Sequence, residues 1–412
     1  MLDHFLRDDA AVQRMRASPL GAQLDSFAAV LSALGYARAS IRDRLWTLAA
    51  LGRWLKRRGL SATDLTRDAA AAFLRGRASR SRVHRGAAAT LRLFFDHLEQ
   101  EGLIPASPRH DPTPLQALQA RYEAYLRDDR GLSPVTGPRH RCVLRRFLHA
   151  CFGDGPIDVR VLTAADVTRY VVAQTPARSP ASAQLHASTL RSFLRFLWQA
   201  GDIASDLTAA IPPVRRWRLV DVPKYLPPGE VTRVLHGCDR TTPVGRRDYA
   251  VLLLLARLGL RGGEVVRLEL DDIDWHTGEL TVRGKGSVRN RLPLPCDVGE
   301  ALATYLRRDR PHCATRRVFV RARAPHRGLG HPSTVSTLVR VALTRARVKA
   351  PMKGAHVLRH SLATELLRRG ASIADIGDVL RHQHPQTTEI YAKVDLTRLR
   401  LLARPWPSGG GQ

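Results

Sequence analysis

The stretch 356–391 opens "HVLRHSLATELLRRG" and closes "VLRHQHPQTTEIY", and it carries His356, Arg359, His360, His382, His384 and Tyr391. Between the quoted ends the residues are ordinary helix formers. His356 and Arg359 stand three apart, so a helix over 356–370 presents them on one face. Leu358, Leu362 and Leu366 follow at helical spacing and anchor the opposite side. An imidazole and a guanidinium in the first turn of a helix, where free N–H groups and the dipole favour anions, suit a phosphate. A metal fits less well. No H-E-x-x-H occurs, and the histidines of "RHQH" sit beside Arg381, which repels a cation. For each histidine taken alone, a satisfied core residue is a third reading.

The rest of the chain narrows the choice. At 412 residues it is too long for one ordinary domain, and two or three are expected. Hydrophobic residues make up 44% and charged ones 25%, the composition of a soluble globular protein. The longest apolar run, "YAVLLLLARLGL" at 249–260, is interrupted by Arg257 and reads as a buried core helix rather than a membrane span. The start, "MLDHFLRDD", lacks the basic-then-apolar pattern of a signal peptide, so a cytoplasmic chain is expected. The five cysteines are scattered, with no C-x-x-C, which argues against a disulfide framework and against a cysteine-based zinc site.

Charge is the strongest global signal. There are 66 basic residues against 37 acidic ones, a formal net charge of +29. Such a chain seeks a polyanion, and no basic amphipathic helix with an aromatic face points to a membrane surface. Duplex nucleic acid is the expected partner. Only six of the basic residues are Lys, but coding bias would exchange Lys for Arg without creating the excess.

Proline-rich punctuation at 105–114 ("PASPRHDPTP") and 212–228 ("PPVRRWRLVDVPKYLPP") divides the chain into segments 1–105, 115–212 and 225–412. The first two resemble each other. "ATLRLFFDHLEQEGL" at 89–103 aligns with "STLRSFLRFLWQAGD" at 188–202, and "GRWLKRRG" at 52–59 echoes "RRFLHACFG" at 145–153. About four helices are expected in each, as a duplicated helical module. The third segment is mixed. "GELTVRGKGSVRNRLPLP" at 278–295 alternates apolar and polar residues around a Gly-Lys-Gly turn, the pattern of a β-hairpin. Helices are expected before it and, after it, at about 297–309, 333–346, 356–370, 373–380 and 387–403.

Read in order, "LARLGLRGGEVVRLELDDIDW" (255–275), the "GKG" hairpin, "HVLRH" and "LRHQHPQTTEIY" resemble the catalytic domain of the tyrosine recombinase (phage integrase) family, including its Xer-like members. The resemblance covers about 225–403. It matches Arg261, Lys285, His356, Arg359, His382 and, nine residues after His382, Tyr391. It implies a mainly α fold, with helical core-binding-type (SAM-like) domains followed by an α+β catalytic domain carrying a small sheet. The segment 115–212 resembles the family's core-binding domain, and 1–105 a second copy of it.

The implied chemistry makes sense of the residue types. Phosphodiester attack places negative charge on non-bridging oxygens, where fixed positive donors stabilise it. Arg261 and Arg359 can give bidentate hydrogen bonds, and His356 and His382 can donate or relay a proton. Tyr391 is the implied nucleophile, forming a phosphotyrosyl bond and expelling a DNA 5′-hydroxyl that Lys285 would protonate. No metal or nucleotide cofactor is implied. The implied partners are double-stranded DNA with specific recombination sites and a homotetramer on two synapsed duplexes. Leu396, Leu399, Leu401 and Leu402, on an amphipathic helix after the tyrosine, would pack onto a neighbouring protomer.

Glu264 reads as a residue that orients an arginine or caps its helix, while His360 and His384 read as bystanders. Where the family has Gly before the second histidine this chain has Arg381, which leads one to expect an altered turn. Two other functions use a similar scaffold: a type IB topoisomerase that relaxes supercoils as a monomer, and a DNA-binding regulator that no longer cuts.

Overall fold

The computed structural model describes residues 1–78, 86–105, 113–132, 136–174, 179–214, 222–284 and 289–394. The first segment forms α1 (Leu2–Phe5), α2 (Asp9–Arg16), α3 (Gly21–Ala33), α4 (Arg38–Lys56), α5 (Arg67–Ala78) and α6 (Ala87–Gln100). That is two helices more than the expected four. The additions are short, and α2 begins where the Asp8 carboxylate accepts the Ala11 amide at 3.1 Å, a cap that overrides weak periodicity. Leu24, Phe27, Leu45, Leu48, Phe94 and Leu98 form the core of this segment.

The second segment has four helices: α7 (Pro114–Asp128), α8 (Gly137–Phe152), α9 (Ala164–Gln174) and α10 (Pro180–Gln199). Its own core is built on Tyr122, Phe147, Leu190, Phe193 and Leu197. Matching positions of the two segments do matching things. The hydroxyls of Thr90 and Thr189 each donate back to a carbonyl one turn earlier, both at 2.9 Å. Phe94 and Phe193 are both fully buried, as are Leu98 and Leu197. α6 and α10 are each followed by a left-handed glycine, Gly102 (φ 70°) and Gly201 (φ 74°).

The third segment continues with α11 (Pro228–His236), α12 (Pro243–Arg257) and α13 (Gly262–Arg267), then β1 (Ile273–Asp274), β2 (Glu279–Arg283) and β3 (Arg289–Pro293). The strands form one antiparallel sheet in the order β1-β2-β3, with Leu280 opposite Leu292. The alternation of the hairpin is realised: Leu280 and Val282 point into the core, and their neighbours are only partly covered. Then come α14 (Cys296–Arg308), α15 (Pro332–Arg345), α16 (His356–Arg368), α17 (Ile373–Leu380) and a 3-10 stretch over Glu389–Val394. The apolar run of α12 is buried on almost every side, between α14 and α16. Among the described residues no helix is long and apolar enough to cross a membrane.

By packing, Met1–Ala106 and Asp221–Gln412 group as one compact unit and Ser107–Val220 as another. The fold is mainly helical with one small three-stranded sheet, the class implied by the resemblance.

Candidate active site

Four short pieces of the third segment converge. Arg261 stands at the start of α13, just after a bend at Gly259, whose φ of 56° suits glycine. A Cβ there would come within 2.8 Å of the Leu380 side chain, so the bend lets the end of α17 approach. Glu264, one turn into α13, reaches back. Its carboxylate accepts the Arg261 amide and the Arg261 guanidinium, both at 2.8 Å, and Arg381 Nη2 at 3.2 Å. Burial pushes this carboxyl up, but the Arg261 amide and the two guanidinia outweigh it and hold Glu264 below its ordinary value. Glu264 is thus the expected cap and orienting group.

α16 begins at His356, which borders an open cleft of about 740 Å³ together with Arg261, Arg381, His382 and His384. Arg359 is 4% exposed, and its guanidinium donates to the carbonyls of Gly259 and Leu380. Burial, with the charges of Arg261 and Arg381, brings it down to about 10, so it stays cationic at neutral pH. Three guanidinia face a single carboxylate, which leaves the site short of negative charge and suited to an anion.

α17 ends on Arg381 in the left-handed region (φ 56°, ψ 50°). The expected altered turn is therefore not found: arginine adopts the conformation a glycine would. Its guanidinium compensates by donating to the carbonyls of Val379 (2.9 Å) and Leu258 (3.3 Å), besides Glu264. The turn sets His382, whose Nδ1 lies 2.7 Å from the Thr388 hydroxyl.

Tyr391 lies on the 3-10 stretch, not on the expected α-helix over 387–403, of which residues 395–403 fall outside the described residues with Leu396, Leu399, Leu401 and Leu402. Its ring packs with Ala363, Leu367, Ile376 and Leu380, it is 1% exposed, and it is not part of the cleft lining. Its hydroxyl lies 2.8 Å from His360 Nδ1. Burial pushes the Tyr391 phenol up to about 12, against the pull of Arg359 and Arg261, and pushes His360 down to about 4, aided by His356 and Arg359. At neutral pH the phenol is therefore the donor and the neutral imidazole the acceptor. Burial and the same guanidinia take His382 to about 4 as well.

The structure thus brings together Arg261, His356, Arg359, His382 and Tyr391. Lys285 lies outside the described residues, although Gly284 at the end of β2 borders the cleft. His360, expected to be a bystander, instead holds the tyrosine hydroxyl. The signal that could have found it is its spacing: His360 is four residues after His356 and so shares its helix face. Among the described residues no group of three side chains could hold a metal ion.

The chain is similar to known proteins. The phage integrase family matches residues 224–398, and the N-terminal SAM-like domain of phage integrases matches 120–201. The integrase/recombinase-type protein y4rA of Sinorhizobium fredii is 44% identical over 408 residues, covering 98% of this chain and 99% of its own. Tyrosine recombinase XerD of Listeria monocytogenes is 31% identical, covering 67% of this chain and 93% of its own. Two solved structures share the fold. The XerH recombinase bound to difH superposes with a TM-score of 0.53 at 16% identity, over 71% of this chain and 97% of its own. A lambda integrase tetramer on a Holliday junction gives 0.51 at 18% identity, over 80% and 90%. Its near full-length likeness to y4rA and its two domain matches establish that this chain belongs to the tyrosine recombinase (phage integrase) family of enzymes.

Proposed function

We propose that the chain is a site-specific DNA recombinase of a mobile element, cutting and rejoining strands through a covalent phosphotyrosyl bond on Tyr391. The observation that carries this reading is the convergence of Arg261, His356, Arg359 and His382 around one buried tyrosine, from elements up to 130 residues apart. The Tyr391 oxygen attacks phosphorus as the bond to the 5′-oxygen breaks, and the phenol proton leaves to a base. The departing 5′-oxygen takes a proton, for which Lys285 is the candidate donor. Arg261 and Arg359 bind the non-bridging oxygens through charge-assisted hydrogen bonds, and His356 and His382 supply further donors. Arg359 gives two of its five N–H donors to Gly259 and Leu380 and is almost fully buried, so the site opens for it to reach the phosphate.

Segments 115–212 and 225–412 each bind duplex DNA, 1–105 is a duplicate of the former, and four copies act on two synapsed duplexes. The protein works on the nucleoid in the cytoplasm. XerH and lambda integrase, whose folds it shares, were captured on their DNA.

The test is a nicked suicide duplex built from the DNA flanking the chain's own gene. The wild-type protein is expected to become covalently attached, and Tyr391→Phe to bind with unchanged affinity without attachment. Recombination by Tyr391→Phe would sink the assignment. A requirement for paired specific sites, rather than relaxation of any supercoiled plasmid, separates this reading from a topoisomerase.

A further inference from the structure

The first segment lies outside both family matches, which begin at residue 120. Its longest helix, α4, carries Arg38, Arg42, Arg53, Lys56 and, at its end, Arg57, all exposed. At 100° per residue these five fall within about 100° of arc, on one face. Trp46, 41% exposed, sits in the middle of the same stripe. From Arg38 to Lys56 the stripe runs roughly 27 Å, the length of about eight base-pair steps of duplex DNA.

A solvated charged face is the ordinary explanation of such residues, and two observations weigh against it. None of the five forms an ion pair among the described residues, whereas some arginines on other helices do: Arg141 with Glu123 (2.7 Å), Arg169 with Asp166 (3.1 Å) and Arg369 with Glu365 (2.8 Å). Arg38 with Arg42 and Arg53 with Arg57 are instead like charges one turn apart, a spacing that destabilises a helix. Arg53, Lys56 and Arg57 suit the negative end of the helix dipole, so the cost falls on Arg38 and Arg42 near its start. The second observation is the repeat. Aligning "WL" at 54–55 with "FL" at 147–148 puts Arg53 on Arg146 and Lys56 on His149, and both partners are exposed on α8. The second segment, whose residues 120–201 match the integrase SAM-like domain, thus presents Arg146 where α4 presents Arg53.

We propose that the α4 face is an additional duplex-DNA-binding surface, contacting phosphates through Arg38, Arg42, Arg53, Lys56 and Arg57 and lengthening the stretch of DNA the protein covers. This rests on the reading of the chain as a DNA recombinase. Phosphate contacts carry no sequence information, so the surface adds affinity and reach, not site choice.

The test uses the full chain, wild type and the variant Arg38→Gln/Arg42→Gln/Arg53→Gln/Lys56→Gln, on a random-sequence linear duplex of about 60 base pairs. Neutralising four phosphate contacts should lower the slope of log affinity against log salt by about 3 to 4 and weaken binding at least tenfold at moderate salt. The protected length should shorten, and the difference between the proteins should vanish on a duplex trimmed to the variant's footprint. The melting temperature should change little, since relieved repulsion offsets the dipole interaction lost with Arg53 and Lys56. Equal slope, affinity and footprint would overturn the proposal, as they would if the stripe served an acidic protein instead. A wild-type chain that never captures DNA covalently defeats only the recombinase reading, because the salt slope does not involve Tyr391.

Discussion

Arg381 sets two effects of similar size against each other. A left-handed backbone costs a non-glycine residue about 1–2 kcal/mol, while removing one partner of a buried ion pair costs roughly 3–5 kcal/mol. Glu264 would keep its two bonds to Arg261, so the loss is toward the lower end of that range. Arg381→Gly is therefore expected to be less stable by about 1–2 kcal/mol in urea denaturation, despite the relieved turn. A more stable variant would mean that strain dominates. His360 and His382 give a second test. Both sit near 4 in the fold, whereas an unfolded histidine titrates near 6.5. Between those values the unfolded chain binds protons that the folded one refuses, so stability is complete above about pH 6.5 and is lost as pH falls toward 4. His360→Gln, which can still accept the Tyr391 hydrogen bond, should flatten that decline in a series of thermal melts. Arg261, His356, Arg359, His382 and Tyr391 were legible because their types and order are demanding. His360 was not: a histidine beside an arginine has many uses, and only the folded return of Tyr391 to α16 gives it one.

Among elements, the long ones could be read from periodicity and the short ones could not. α12, α16 and the β2–β3 hairpin follow from apolar spacing alone. α1 and α2 are too brief to show a period, and the 3-10 stretch under Tyr391 is shaped by the packing of its ring against α16 and α17. The echo between α6 and α10 was legible residue by residue and marks fully buried positions in both segments. Phe193 on α10 meets Tyr122 edge-on at 5.3 Å and lies 6.4 Å from Phe147. Phe193→Ala should cost about 3–5 kcal/mol and lower the unfolding transition of the unit 107–220 in calorimetry. A loss below 1 kcal/mol would show that the site collapses onto the deleted ring.

For the whole molecule, net charge pointed to a polyanionic partner and proline punctuation suggested three segments. The grouping of Met1–Ala106 with Asp221–Gln412 had no local signature, because it depends on residues far apart in the chain. Under the proposed function, a protein carrying +29 charges would spend most of its time on DNA that is not its target, held by sequence-independent contacts. A cutting group left open during that search would scar the chromosome at random. With its oxygen tied to His360 and its ring sheathed at 1% exposure, Tyr391 would, as the proposed nucleophile, travel as a closed blade. Under the proposed chemistry, fidelity then begins before any base is read: only a partner that reshapes the 385–394 segment can draw the blade, so strand breakage is confined to assembled sites.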